Sequence, residues 1–84
     1  MFVELYTKED CPYCQMAKIA LWDKQIPYSE HKLGRHFSRE QILEKFPEAK
    51  SFPIIVLDGF YIGGYNQLRE HLNSNNDSQI QLNG

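Results

Sequence analysis

The sequence has few cysteines and no long stretch of one chemical character. Two of its 84 residues are cysteine, one is tryptophan, and the net charge is only −2. Such a small charge, with no block of like charges, excludes the strongly charged surfaces typical of nucleic-acid and membrane-surface binding. No apolar run approaches the roughly 20 residues of a membrane-spanning helix. We therefore expect a protein that binds neither nucleic acid nor membrane.

The N-terminus also lacks the pattern of an export signal. A predicted strand begins at once, without a basic region followed by an apolar helix. We therefore expect a cytoplasmic protein. Since that compartment is reducing, two cysteines that lie close in sequence are not expected to form a structural disulfide.

What the sequence does contain is enough for one small folded unit. Hydrophobic residues make up 42% of the chain, which allows a single core. We predict one domain over residues 1–73, which we expect to be a monomer. Residues 74–84 are nearly all polar, and we expect this tail to be disordered because it cannot bury enough apolar surface.

A Cys-Pro-Tyr-Cys tetrapeptide at residues 11–14 carries the clearest chemistry. It lies between a predicted strand and a predicted helix, so Cys11 falls at a helix start, where unpaired N–H groups and the helix dipole favour negative charge. That position favours the thiolate, which is the reactive form of a cysteine. Cys14 lies one turn further along, close enough to close a disulfide, and Pro12 is tolerated in the first turn. The spacing predicts a thiol–disulfide exchange site.

The predicted elements follow the order βαβα–ββα. β-Branched and aromatic residues indicate strands, and Asp58-Gly59 indicates a hairpin turn between the last two. Ser38 and Gln41 form a predicted capping box at the start of the second helix. The predicted strands cover residues 2–7, 28–33, 54–57 and 60–62, and the predicted helices cover residues 12–24, 39–46 and 66–71.

The apolar pattern predicts which faces are buried. The first helix has a broad apolar face and is expected to be well buried. The strand over residues 54–57 is apolar without a break, which predicts burial on both faces, whereas the polar strand over residues 28–33 is expected near an edge. On the first helix the expected apolar face consists of Tyr13, Ala17, Ala20 and Leu21, widened by Met16, Ile19 and Trp22. On the second helix it consists of Ile42, Leu43 and Phe46.

This order, with Cys-x-x-Cys opening the first helix, is similar to the thioredoxin fold. The Cys-Pro-Tyr-Cys motif resembles that of the dithiol glutaredoxins. Residues 50–53 (Lys-Ser-Phe-Pro) resemble the basic-Thr-Val-Pro loop of that family, whose proline is cis, and residues 62–65 (Ile-Gly-Gly-Tyr) resemble its Gly-Gly turn. Together the three motifs make the chain similar to the short glutaredoxins of bacteria and their phages. The resemblance implies an α/β, thioredoxin-like fold with a four-stranded mixed sheet flanked by three helices.

The resemblance also implies a function, that of a glutathione-dependent thiol–disulfide oxidoreductase. Cys11 would be the nucleophile that attacks a disulfide or a glutathione mixed disulfide, and Cys14 would be the more buried, resolving thiol. Glutathione would be the reductant, and no metal is expected. The implied partners are glutathione and disulfide-containing proteins, of which the family suggests ribonucleotide reductase.

A glutathione groove beside the cysteines is implied in the same way. Lys8 and Lys50 would meet the glycine carboxylate of glutathione, or Lys8 would stabilise the thiolate, and Tyr13 would form a wall. The backbone of Phe52, held by a cis peptide before Pro53, would pair in strand fashion with the cysteine moiety of glutathione.

The resemblance places the far end of that groove at the Gly-Gly turn. Near this turn the sequence differs from the family pattern. After Gly64, the N–H groups of Tyr65 and Asn66 would receive the γ-glutamyl carboxylate at a helix start. Many glutaredoxins have aspartate where this chain has Asn66, and a charge-assisted hydrogen bond is about twice as strong as a neutral one. Ser51 and Phe52 also replace the usual Thr and Val. These departures bear on glutathione affinity and leave the redox chemistry unchanged.

Other interpretations stay open beside this one. The two departures are compatible with a related reductant that thioredoxin reductase recharges in place of glutathione. A non-catalytic zinc module is a second alternative, although the spacing C-x2-C-x16-H-x4-H falls just outside that of zinc sites. A glutathione-bridged iron–sulfur cluster on Cys11 is a third. The zinc pattern would use Cys11, Cys14, His31 and His36.

Overall fold

Four strands form one mixed sheet in the order β2-β1-β3-β4. They are seen in a computed structural model, which describes residues 2–73. The strands are β1 (Val3–Thr7), β2 (Tyr28–Lys32), β3 (Ile54–Leu57) and β4 (Phe60–Gly63). The predicted sheet is therefore confirmed, with β2 at one edge as expected.

Three helices complete the predicted order. They are α1 (Pro12–Asp23), α2 (Arg39–Lys45) and α3, which is helical over residues 65–73. The thioredoxin-like α/β fold predicted from the motifs is confirmed. No helix within residues 2–73 is both long and apolar enough to cross a membrane. The predicted tail at residues 74–84 lies outside the described part of the chain.

Strand pairing brings distant segments to one end of the sheet. β1 runs parallel to β2 and antiparallel to β3, with Tyr6 opposite Ile54, so the end of β1 lies beside the start of β3. β4 is antiparallel to β3, and its last residue, Gly63, pairs with Ile55. The residues that follow β1, precede β3 and follow β4 therefore meet at the same end of the sheet.

Apolar side chains form a core on each face of the sheet. Alternation along β1 sends Val3 and Leu5 to the face that α1 and α3 cover, and Tyr6 to the face that α2 covers. All four residues of β3 are buried, which confirms the prediction from its unbroken apolar run. The first core contains Val3, Leu5, Ala17, Leu21, Ile55, Leu57, Leu68 and Leu72, and the second contains Tyr6, Ile42, Phe46, Ile54 and Val56.

The prediction that α1 is buried on a broad face is wrong. The helix contacts the sheet through Ala17 and Leu21, whereas Met16, Ile19 and Trp22 are exposed. The reason is geometric, since one helix lying on a sheet buries only a stripe of its surface. Ile42 in α2 and Phe46, which follows its last residue, are buried as predicted, but Leu43 is exposed for the same reason.

Local signals at turns and caps are confirmed. The Ser38 side chain accepts a hydrogen bond from the Gln41 backbone N–H, and the Gln41 side chain accepts one from the Ser38 N–H, which completes the capping box. In the hairpin, Asp58 and Gly59 both have positive φ, at 50° and 87°. That backbone suits a two-residue turn between twisted strands.

Candidate active site

The cysteine motif lies at the N-terminus of α1, as predicted from the sequence. Cys11 is the N-cap residue, and Pro12 occupies the first helical turn. The backbone N–H of Cys14 donates a hydrogen bond to Cys11 Sγ at 3.2 Å. This N–H and the helix dipole both point positive charge at Cys11 Sγ, the atom that becomes anionic when the cysteine acts as a nucleophile.

Cys11 and Cys14 are bonded to each other as a disulfide, with their Cα atoms 5.2 Å apart. The two sulfurs differ in access. Cys14 is 1% exposed and Cys11 is 7% exposed. Only Cys11 lines the adjacent cavity. The prediction that Cys14 is the more buried of the two is confirmed.

Two adjoining cavities, each of about 340 Å³, lie beside the cysteine motif, and Cys11 lines one of them. Both are lined by Tyr13, Lys50, Ser51 and Phe52, so together they form one continuous depression, the redox groove. One end is lined by Lys8, Cys11 and Arg39, and the other by Pro53, Gly64, Tyr65 and Asn66. The structure therefore brings every predicted groove residue to one surface, and Cys14 lies behind it, bonded to Cys11.

Arg39 is a groove residue that sequence reasoning missed. It is the first residue of α2, directly after the Ser38 cap, and it lines the same cavity as Cys11, Lys8 and Lys50. The capping box located the start of the helix, but nothing local in the sequence shows that this start lies over the cysteines. Three cationic side chains, Lys8, Arg39 and Lys50, and one acidic side chain, Asp10, therefore line the cavity that contains Cys11.

The middle of the groove is formed by Phe52 and its neighbours. The Phe52–Pro53 peptide bond is cis, as the resemblance implied. The Phe52 ring stacks on Phe37, with centroids 6.3 Å apart, and Lys8 Nζ lies 6.0 Å from the centre of the same ring. The Phe52 side chain therefore makes an aromatic contact that the smaller valine of the family pattern cannot make.

The far end of the groove is the start of α3. The Gly64 N–H donates to Gln67 Oε1 at 2.9 Å, and the Gly64 carbonyl accepts from the Leu68 N–H at 3.0 Å. Gly64 therefore acts as the N-cap, but it has no side chain to bond the N–H groups of the first turn. A Cβ at this position would lie 3.2 Å from the Pro53 carbonyl oxygen, so glycine allows the close approach of these two segments.

A protein-family model described as Glutaredoxin matches residues 3–62. The chain belongs to the glutaredoxin family. It is 35% identical to Glutaredoxin 3 of Escherichia coli strain K12 over 66 residues, which cover 79% of this chain and 80% of that protein. It is 32% identical to Glutaredoxin 1 of Rickettsia felis over 66 residues, or 76% of this chain and 65% of that protein.

The fold agrees with that assignment. The structure superposes on Glutaredoxin 1 from Francisella tularensis with a TM-score of 0.77, over 90% of this chain and 96% of that one. At 23% identity, this likeness shows the fold alone. The family and the bonded pair of cysteines identify this glutaredoxin as a thiol–disulfide oxidoreductase.

The histidines of the zinc pattern lie elsewhere in this glutaredoxin. His31 and His36 line a separate cavity of about 320 Å³, which neither cysteine reaches. The His31 ring stacks on Tyr6, with centroids 4.7 Å apart, and His36 Nδ1 accepts a hydrogen bond from the Lys32 N–H. Within residues 2–73, no three His, Cys, Asp or Glu side chains converge in a way that could hold a metal ion.

Proposed function

We propose that the protein is a glutathione-dependent reductase of protein disulfides and glutathione mixed disulfides, working in the cytoplasm as a monomer. The observation that carries this proposal is the asymmetry of the cysteine pair. Cys11 lines the groove, and its Sγ accepts a hydrogen bond from the Cys14 N–H, with the nitrogen and sulfur 3.2 Å apart. Cys14 is more buried and does not line the groove. That arrangement suits a nucleophile at Cys11 and a resolving thiol at Cys14.

The reaction follows from thiol–disulfide exchange. The Cys11 thiolate attacks one sulfur of the substrate disulfide, and the other sulfur leaves and takes up a proton. Cys14 then attacks the Cys11 sulfur of the mixed disulfide, which frees the second substrate thiol and forms the Cys11–Cys14 disulfide. Two glutathione molecules reduce that disulfide and leave as glutathione disulfide, so two electrons pass to the substrate.

Glutathione mixed disulfides need only the first cysteine. Cys11 takes up the glutathionyl group, the substrate leaves as a free thiol, and a second glutathione releases the first as glutathione disulfide. In this branch Cys14 is dispensable. The proposed nucleophile and resolving thiol can therefore be told apart by activity.

The groove offers complementary groups to each part of glutathione. Lys8, Lys50 and Arg39 provide positive charge near Cys11, which suits the glycine carboxylate. The backbone of Phe52 is available for strand-like pairing with the cysteine moiety. The uncapped first turn of α3, at Tyr65, suits the γ-glutamyl carboxylate.

In this proposal the reductase acts on protein disulfides as well as on small glutathione mixed disulfides. We propose ribonucleotide reductase as one such partner because the family resemblance suggests it. We further propose residues 1–73 as the glutaredoxin domain. The reductant is glutathione in this scheme, and thioredoxin reductase is the rival that the test below includes.

The experiment is a coupled assay with glutathione, glutathione reductase, NADPH and a small glutathione mixed disulfide. Wild type should turn over, Cys11→Ser should be inactive, and Cys14→Ser should keep activity on this substrate while losing it on protein disulfides. Wild type that is inactive with glutathione but reduced by thioredoxin reductase would refute the proposed glutathione site. Inactivity in both systems, with bound zinc or an iron–sulfur absorbance, would replace the proposal with metal binding.

A further inference from the structure

The Phe52 ring contacts a charged side chain as well as an aromatic one. Lys8 Nζ lies 6.0 Å from the centre of this ring, which is the range of a cation–π interaction. Phe37 stacks on the same ring, with the two ring planes 15° apart. The valine of the family pattern has no aromatic face and can make neither contact. The contact between Lys8 and a ring is therefore a property of this chain and not of the motif that it resembles.

The Phe52 ring is held in place from the protein interior. Phe37 packs edge-on against Tyr6, with centroids 5.5 Å apart, and Tyr6 is a buried residue of β1. Phe37 and Phe52 are both half-buried and pack against the core that contains Tyr6. Side chains packed on a core in this way have little freedom to change rotamer. The ring therefore offers a fixed surface beside the groove.

The Lys8 side chain depends on that surface for a defined position. Lys8 follows β1 and is exposed to solvent. Within residues 2–73, its ammonium group makes no ion pair and no hydrogen bond to another side chain. An exposed lysine samples many rotamers, and fixing one of them costs conformational entropy. The Phe52 ring is the contact that offsets this cost.

The position of the Lys8 charge matters because Lys8, Phe52 and Cys11 line the same cavity. A positive charge close to Cys11 favours its thiolate, and the interaction energy of two charges falls with their separation. Other ionisable groups face Cys11 in this cavity, one of them acidic and two of them basic. They are Asp10, Tyr13, Arg39 and Lys50. The Asp10 carboxylate disfavours the thiolate, so a Lys8 ammonium held nearby also offsets that charge.

We propose that Phe52 is a positioning residue for the redox reaction, whose ring holds the Lys8 ammonium beside Cys11 and so raises the thiolate fraction of the reduced nucleophile. The inference rests on the proposed function, in which Cys11 is the attacking cysteine. The helix dipole and the Cys14 N–H act on the same sulfur, and the effect of Phe52 adds to theirs. Phe52 thus acts on the redox chemistry itself, in contrast to the expectation from the sequence.

The test is the pH dependence of alkylation by iodoacetamide in the Cys14→Ser variant, in which Cys11 is the one remaining cysteine. The thiolate displaces iodide and the thiol does not, so the rate follows the thiolate fraction between about pH 3.5 and 8.5. Phe52→Leu keeps an apolar side chain but removes the aromatic face. It should move the midpoint of the profile up by about 0.5 pH unit, the size expected for a cation–π contact of an exposed lysine. The rate below the midpoint should fall about threefold. An unchanged midpoint overturns the inference.

A double-mutant cycle separates positioning of Lys8 from a general disturbance of the groove. Lys8→Gln should raise the midpoint by itself, and Phe52→Leu should then add nothing. Phe52→Tyr keeps an aromatic face and should keep the midpoint of the parent variant. Lys24→Gln is the matched control for loss of a charge, because Lys24 is exposed at the opposite end of α1. An effect of Phe52→Leu that persists without Lys8, or equal shifts from the two lysine variants, overturns the inference.

A measurement on the unaltered protein does not depend on how the variants fold. An aromatic ring shields protons that lie over its face, so the side-chain methylene protons of Lys8 should resonate upfield of those of Lys24 in an NMR spectrum. Equal positions for the two lysines overturn the inference. Failure of the proposed function is distinguishable, because the protein would then not turn over with glutathione, whereas alkylation of Cys11 needs no glutathione and would still give the profiles described.

Discussion

Glu30 of β2 makes two short polar contacts, one to β1 and one to α1. The hydroxyl of Thr7, a buried residue of β1, donates to Glu30 Oε2 at 2.7 Å, and Lys18 Nζ lies 2.7 Å from the same oxygen. Burial raises the pKa of Glu30, but the hydrogen bonds from Lys18 and Thr7, together with the charges of Lys18 and Lys32, hold that pKa below its usual range. The folded protein therefore favours the ionised carboxylate.

Replacing Glu30 with glutamine should destabilise the protein at neutral pH by about 1 kcal/mol, because it removes the charge from both hydrogen bonds. A lowered folded pKa contributes stability above the unfolded pKa, and that stability is lost as pH falls through the folded value. The difference in unfolding free energy between wild type and Glu30→Gln should thus become smaller below about pH 4.3, the ordinary pKa of glutamate. Urea unfolding across that range measures it. Glu44→Gln, at an exposed position of α2, is the control, and an equal loss there would contradict the prediction.

Asn66 determines how strongly the far end of the groove holds glutathione in the proposed function. Replacing it with aspartate should lower KM for glutathione about fivefold, because a charge-assisted hydrogen bond to the γ-glutamyl ammonium replaces a neutral one. The gain should weaken as salt is added. Asn73→Asp makes the same charge change at the other end of the helical residues 65–73 and should leave this KM unchanged. If both variants lower KM for glutathione equally, the effect is one of overall charge, and the proposed contact of residue 66 with glutathione is refuted.

Among the secondary-structure elements, α1 shows why the apolar pattern of a sequence does not by itself predict which side chains are buried. Apolar residues occur on most of its circumference, and the 3.6-residue period alone cannot tell which of them touches the sheet. The exposed residues Met16, Ile19 and Trp22 were therefore predicted in the core incorrectly. The same pattern error affected Leu43 in α2.

The seven-residue helix α2 depends on its cap more than a long helix does. Ser38→Ala removes the side chain that accepts from the Gln41 N–H, and it should cost about 1 kcal/mol of unfolding free energy. Chemical denaturation measures the loss. Ser38→Asp should retain most of the stability, since aspartate is also a good N-cap. A variant with aspartate that is as unstable as the alanine variant would show that the cap is not the cause.

At the scale of the whole molecule, the active site is a product of strand order. Cys11 follows β1, the cis Pro53 precedes β3, and Gly64 follows β4. The antiparallel pairing of β1 with β3, and of β3 with β4, brings these three segments to one end of the sheet. Each motif lies far from the others in sequence, and the groove exists only where they meet.

The proposed domain of residues 1–73 can be tested by shortening the chain. Leu68 and Leu72 belong to the same core as Val3 and Leu21. A chain that ends at residue 73 should unfold cooperatively and keep its activity in the glutathione assay. A chain that ends at residue 66 should fail to fold, because loss of a buried leucine side chain costs about 2–5 kcal/mol and two are removed. Circular dichroism during thermal unfolding compares the two. A folded shorter chain, or an unfolded longer one, would refute the proposed boundary.

The features that depend on near neighbours could be predicted from the sequence. The Ser38 capping box, the turn at Asp58 and Gly59, the buried run of β3 and the position of Cys11 at a helix start are all local, because the groups that stabilise them lie within a few residues. The resemblance of three short motifs then indicated the family and the end of the molecule where its chemistry lies.

Which residues of these elements come into contact is set by tertiary packing. It brought Arg39 to the Cys11 cavity, stacked Phe37 on Phe52, and joined Thr7 to Glu30. It also left Met16, Ile19 and Trp22 exposed to solvent. These contacts depend on how the helices pack on the sheet, which is set by side chains distant in sequence. They therefore cannot be predicted from local patterns along the chain.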